Sequence, residues 1–346
     1  MAPRIGAYFD QRNPPQWQRD GAELYSWTLD WAQEGEHRGL DAIWLTEHHM
    51  LADGYLPQAL VMAAGIAART RAIRVGTAVL IATLRSPIEI AEQAAVVDLI
   101  SGGRLELGLG AGYAALEFAL FDVDSSRRFE LLEQRIVEIQ ALCREHGITP
   151  APVQVPIPIW VGAGGARGAR IAGRVGAGLL HLGGRLLEPY GAGLREGGHP
   201  PSLARTGGVI DLIVAEDPER AWAAIAPHVG YQQASYRHLA RRDERLDAML
   251  RDPRTGSRFS ATPGRGVPAI EVTTPAGAVE RVRSAIRGKP VTDVMFWATI
   301  AGMPKDIADR HLELLCDEVA PALREEDAQG SPADRVNGDG SPLTVQ

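Results

Sequence analysis

The sequence predicts a closed (β/α)8 barrel with a long insertion between its seventh and eighth strands. Three observations point there. Apolar runs of strand length alternate with amphipathic stretches of helix length along most of the chain. Eight such runs occur, more than an open doubly wound sheet usually holds. The chemistry-bearing residues and glycines collect where these runs end, as at the C-terminal face of a barrel.

The elements follow in order. Arg4–Asp10 is a short apolar strand ending in an acid, and Ala22–Arg38 has helical spacing with Gly39 at its C-terminal end. "AIWLTE" is the second strand, and Pro57–Arg69 the next helix. Ile73–Leu80 is β-branched and reads as the third strand. Ser86 and Pro87 open a helix to Ile100, with Gly102 and Gly103 closing it. Arg104–Gly110 is the fourth strand, followed by a long helix to His146 capped by Ser125 or Ser126. Pro158–Gly164, Gly178–Gly184 and Gly208–Ala215 are strands five to seven, with Asp217-Pro218 starting a helix. Thr292–Thr299 is the eighth, followed by a helix to Leu323. About eighty residues separate strands seven and eight, too many for one crossover, and Arg251–Pro268 within them is rich in Gly, Pro, Ser and Arg. The expected organisation is one barrel domain over 1–324, with 251–268 as a mobile loop and 325–346 as a disordered tail.

Composition narrows the function. The chain has 346 residues, 45% of them hydrophobic, which suits one large soluble unit. No apolar stretch reaches the roughly 18 residues a membrane span needs. The start lacks a basic segment followed by an apolar one, so the cytoplasm is expected. A net charge of −7 argues against nucleic acid as a partner. Cys143 and Cys316 are far apart, without a CxxC, and read as buried free thiols.

The second strand runs into Glu47, His48 and His49. Neighbouring side chains on a strand point to opposite faces, so a single metal rarely uses both histidines, and the other strand ends supply few ligands. No metal is expected. A histidine beside an acid suits acid–base chemistry or stabilisation of a developing charge; polar residues at a strand end without chemistry are the other reading. After the fifth strand, Val161–Arg170 reads "VGAGGARGAR". A glycine turn before a helix offers backbone N–H groups to a phosphate. A plain tight turn is the alternative. The spacing departs from the dinucleotide fingerprint, and no acid ends the next strand. Phe9, Trp17, Tyr113, Phe118 and Trp297, near strand ends, are candidates for an apolar pocket.

Four blocks, Gly39–His49, Ile73–Tyr113, Pro158–Gly178 and the eighth strand, together resemble the bacterial luciferase-like flavin monooxygenase family. The resemblance implies a (β/α)8 barrel that binds reduced flavin at the C-terminal strand ends. The family includes luciferases, alkane and alkanesulfonate monooxygenases, and deazaflavin (F420)-dependent oxidoreductases. It places His48 at the catalytically important first histidine; Glu47 is expected behind it, and His49 is expected at the substrate pocket with Phe9, Tyr113 and Trp297. It sets Thr77 and Ala78 against the flavin ring, in a segment that often carries a non-proline cis peptide. It assigns Gly110, Ala111, Gly162, Ala163, Gly164, Gly165, Arg128 (or Arg127) and Arg167 to the cofactor. One departure stands out: Ala111 occupies a turn position that is arginine in luciferases. The Glu-His-His triplet favours FMN, whereas Ala111 favours F420.

The expected function is therefore a monooxygenase using reduced FMN and O2 on a small, largely apolar organic substrate, with flavin supplied by a separate reductase. The alternatives are an F420-dependent oxidoreductase, a non-catalytic flavin-binding protein and a metal-dependent barrel hydrolase. The resemblance also implies a homodimer through the segments around Pro57–Arg69 and Pro87–Ile100.

Overall fold

The computed structural model describes residues 2–144, 147–241, 243–261 and 269–329. Eight parallel strands close into a barrel: β1 (Arg4–Phe9), β2 (Ala42–Leu45), β3 (Arg74–Thr77), β4 (Leu105–Gly110), β5 (Ile159–Gly162), β6 (Gly178–Leu180), β7 (Thr206–Ile210) and β8 (Val291–Trp297). Each pairs with its sequence neighbours, and β8 returns to β1.

Alternation along the strands sorts the side chains. Ile5, Ala7, Ile43, Leu45, Val75, Leu107, Leu109, Val161 and Phe296 face the surrounding helices in one large apolar cluster. Ala42, Trp44, Trp160 and Met295 fill the barrel interior. The two indoles meet edge to face at 5.9 Å. They fit because Gly76 and Gly178 carry no Cβ: a carbon there would lie 2.5 Å from the Trp44 ring and closer still to the Trp160 ring. Beneath them Glu106 accepts from Arg4, Arg74 and the Trp160 indole at 2.6–2.8 Å. The barrel interior is thus filled below, and a cavity opens at the C-terminal strand ends.

Several sequence expectations change in detail. The third strand breaks at a non-proline cis peptide, Ala78–Val79, before the short strand Leu80–Ile81. An unforeseen helix, Ala115–Leu120, follows β4. Asp124, not Ser125 or Ser126, caps the next turn, because its carboxylate accepts the Ser126 N–H at 2.9 Å. The helix there runs Arg128–Arg144; His146 lies outside the described residues. The expected seventh strand splits at Asp211: β7 stays in the barrel, and Leu212–Val214 pairs with Glu271–Thr273 in a separate two-stranded sheet.

The insertion carries a 24-residue helix, Pro218–Arg241, whose Tyr236 lines the cavity at the barrel mouth. Part of the expected loop is helical: Pro253–Arg258 is a 3-10 turn capped by Asp252, and the helix Glu244–Arg251, capped by Asp243, leads into it. Residues 262–268 of that loop lie outside the described residues. The final helix, Ala320–Gln329, runs into the expected tail, whose residues 330–346 are likewise outside. Cys143 and Cys316 are buried and free. Among the described residues no helix is long and apolar enough to cross a membrane.

Candidate active site

A cavity of about 660 Å³ opens above the tryptophans, a size suited to a cofactor-sized ligand. One end is glycine. Gly162, Ala163, Gly164 and Gly165 line it, and Gly165 precedes the helix Ala166–Arg174, whose first turn receives no side-chain cap. The free N–H groups of that turn therefore face an open space. Nothing lies within 4 Å of where a Cβ on Gly164 or Gly165 would stand. Arg128 lines the same end; its guanidinium is held by the Ser125 carbonyl at 3.1 Å and lies 4.7 Å from the Phe129 ring. Arg185 donates to the Gly164 carbonyl at 3.1 Å. His181, expected within a strand, instead follows the three-residue β6 and lines the cavity. Burial, then Arg185 and Lys289, holds its imidazole below the ordinary histidine range.

In the middle, the cis peptide turns Val79 into the wall. Its side chain rests where Gly110 and Gly162 lack Cβ atoms; a Cβ on Gly162 would come within 2.6 Å. Ala78 and Ala111 line the cavity beside it. This is a smooth surface for one face of a flat ring.

The other end is aromatic and titratable. The chain leaving β2 is held by the Thr46 N–H on the Phe9 carbonyl and the His48 N–H on the Leu56 carbonyl, both at 3.1 Å. His48 lines the cavity. Its Nδ1 lies 2.8 Å from Glu117 Oε1, and its Nε2 3.1 Å from the Tyr113 hydroxyl. Tyr55 meets the ring edge to face at 4.8 Å. Tyr8, Tyr55 and Tyr236 complete this wall. Behind it Arg12 is fully buried, paired with Asp10 and Asp53 and stacked over Tyr55 and Tyr236 at 4.5 and 4.9 Å. Burial pushes the Asp10 carboxyl up to about 6, against the pull of Arg12.

The structure brings together Glu47, His48, Ala78, Gly110, Ala111, Tyr113, Arg128, Gly162, Ala163, Gly164 and Gly165. It does not bring in the others. Thr77 is spent on backbone: its hydroxyl donates to the Gly108 carbonyl and accepts the Gly108 N–H. Arg167 is exposed and lies against Phe129 outside the cavity. Phe9 falls on the helix-facing side of β1, against Trp31. Trp297 is covered by Tyr8 at 4.7 Å and donates to Asp211. Trp17 stacks on His228, and Phe118 packs with Ile81 and Leu84. His49 points away, onto Phe121 at 4.8 Å.

Glu47 does not back His48 as expected. It accepts the Ile81 N–H at 2.6 Å, pairs with Arg85, and stands 3.2 Å from His49 Nε2 without hydrogen-bond geometry. The acid on His48 is Glu117, which no sequence pattern marked. Among the described residues no group of three or more His, Cys, Asp or Glu is placed to hold a metal.

The donor set fits an elongated ligand with an anionic end on the glycine turn and Arg128 and a flat ring against Val79. Both FMN and F420 have that form. A model of the luciferase-like monooxygenase family matches residues 6–289. An F420-dependent glucose-6-phosphate dehydrogenase of Kineococcus radiotolerans is 33% identical over 222 residues, 56% of this chain and 65% of that protein. The oxygenase component of a flavin-dependent trigonelline monooxygenase of Acinetobacter baylyi is 29% identical over 191 residues, 49% of this chain and 53% of that protein. These two matches thus span less than two thirds of each relative. The oxygenating constituent of 3,6-diketocamphane monooxygenase from Pseudomonas putida, solved with FMN, superposes with a TM-score of 0.70 at 17% identity. That match covers 93% of this chain and 99% of the other.

Proposed function

This chain belongs to the luciferase-like monooxygenase family, and on that premise we propose that it is an FMN-dependent monooxygenase acting on a small uncharged organic substrate. Gly164, Gly165 and Arg128 would hold the flavin phosphate, and Ala78, Val79, Gly110 and Ala111 would bound its ring. Reduced flavin, when bound, supplies the electrons that activate O2. The protein's part is to orient the substrate, exclude water and handle a proton at His48 Nε2. A separate reductase would supply the reduced flavin, because the glycine turn lacks the dinucleotide spacing.

One observation carries the substrate class. Among the described residues lining the cavity, Arg128 is the one arginine or lysine, and it stands at the glycine end. With that cation on the cofactor, no arginine or lysine among the described lining residues remains for a sugar phosphate, and the free end offers tyrosines, Val209 and Met295.

F420-dependent hydride transfer is the second reading, supported by the Kineococcus relative and by Ala111, which leaves the strand-four turn without an arginine. Anaerobic titration with reduced FMN and reduced F420, followed by turnover of a panel of uncharged organics under 18O2, separates the two. Retention of FMN and a labelled product are expected. Retention of F420, with turnover continuing without oxygen, overturns the reading. His48→Ala should abolish turnover while flavin still binds; near-normal turnover would remove His48 from the chemistry.

A homodimer fits the outer faces of the helices Ala59–Arg69 and Pro87–Ser101, where Val61, Ile88, Val96, Leu99 and Ile100 are exposed. Light scattering on the purified chain tests it.

A further inference from the structure

We infer that Glu117 is a positioning residue that fixes the tautomer of His48 and so makes Nε2 the basic atom at the cavity. The inference rests on the reading of His48 as the proton-handling group.

Adjacent residues on an extended chain point opposite ways, His48 inward and His49 outward, and one support meets both. Glu117 is that support. It stands in the short helix Ala115–Leu120, 1% exposed, and it does not line the cavity. One of its oxygens, Oε1, accepts the His49 backbone N–H at 2.8 Å and lies 2.8 Å from His48 Nδ1. A backbone N–H can only donate. The same oxygen serving as acceptor for the ring places the imidazole proton on Nδ1. Nε2 is then left with its lone pair, which accepts from the Tyr113 hydroxyl at 3.1 Å.

The result is a line from carboxylate to imidazole to phenol. It begins in the buried helix and ends at Tyr113, which is 51% exposed at the cavity mouth. Tyr55 and Tyr236 close on the His48 ring at 4.8 and 6.4 Å. They limit its rotation but supply no partner to Nδ1. Removing Glu117 would therefore free the tautomer while leaving the ring in place.

The test is 15N NMR of the full chain labelled at histidine, with His48 assigned from the signal lost in His48→Gln. In the wild type, His48 should show a protonated Nδ1 and an unprotonated Nε2. Glu117→Ala should turn that nearly complete population into a minority and shift the His49 amide. Glu117→Gln, which keeps a carbonyl oxygen as acceptor, should restore the wild-type tautomer, and Tyr113→Phe should leave it unchanged. A wild-type His48 protonated on Nε2, or a folded Glu117→Ala protein with an unchanged tautomer, overturns the assignment. If Glu117→Ala fails to fold, the wild-type spectrum and Glu117→Gln decide: loss of the Nδ1 proton in the glutamine variant also overturns it. The readout needs neither cofactor nor substrate, so it fails or succeeds separately from the proposed reaction.

Discussion

Arg12, at the end of the first strand, reaches Ser235 on the insertion helix, with Nη1 2.7 Å from the serine hydroxyl. The same guanidinium pairs with Asp10 and Asp53, so one buried cation ties the barrel, the loop after β2 and the insertion together. Its removal leaves two buried carboxylates without their counter-charge.

Arg12→Met should therefore destabilise the protein by about 3–5 kcal/mol, the cost of breaking a buried pair from one side. Urea unfolding measures it. A loss under about 1 kcal/mol, the worth of an exposed pair, would mean that the cluster is solvated.

The glycines of the cavity divide into two kinds. A methyl group on Gly110 or Gly162 would strike Val79, whose branched side chain has few rotamers to retreat into. Gly162→Ala should cost about 1–3 kcal/mol in unfolding experiments. Gly164 faces open space, so Gly164→Ala should leave stability within about 0.5 kcal/mol. It should nevertheless weaken binding in a flavin fluorescence titration, because the methyl group would enter the space a phosphate needs.

Two neighbouring arginines should behave differently. Arg128 lines the cavity, whereas Arg127 is exposed and paired with Glu130 at 2.7 Å. Arg128→Ala should weaken FMN binding by roughly ten- to a hundredfold, the worth of a charged hydrogen bond of about 1.5–3 kcal/mol. Arg127→Ala should leave the dissociation constant unchanged. Equal effects would place the phosphate elsewhere.

Acid should reveal two buried groups of opposite sign. His311 is fully buried; its Nδ1 accepts the Val214 N–H and its Nε2 faces the Trp297 carbonyl. Burial holds it down to about 4, below the free value of 6.5. The unfolded chain then binds the proton first, so stability falls as pH drops from 6.5 towards 4, by up to roughly 3 kcal/mol. His311→Gln should flatten that slope in unfolding measured at several pH values.

Asp10 works the other way. Its folded carboxyl titrates near 6 against 3.8 as a free group. The folded protein keeps the proton longer, so this contribution is present below pH 3.8 and is lost as pH rises to 6. Comparing Asp10→Asn with wild type across that window isolates it. A difference that does not change with pH would show that Asp10 titrates normally.

Much of the site was legible because it is local. Glycines before a helix, a proline at a first helical turn and the Glu-His-His triplet are short-range signals, and β/α alternation repeats often enough to count. Glu47 was visible as an acid beside a histidine, but its partner was not: the carboxylate turned to Arg85 and the Ile81 N–H. Phe9 and Trp297 were assigned by their nearness to strand ends. Strand parity sent the first to the helix side and Tyr8 covered the second.

The sequence by itself determined the barrel, its strand order and the glycine turn, because backbone propensity and hydrophobic period act within a few residues. The tertiary structure alone decided which acid serves His48, which arginine enters the cavity and which tyrosines wall it. Glu117 reaches His48 across 69 residues, and Arg12 reaches Ser235 across 223. Contacts over such separations are set by barrel closure and by how the insertion lies on its mouth, and no local pattern encodes them.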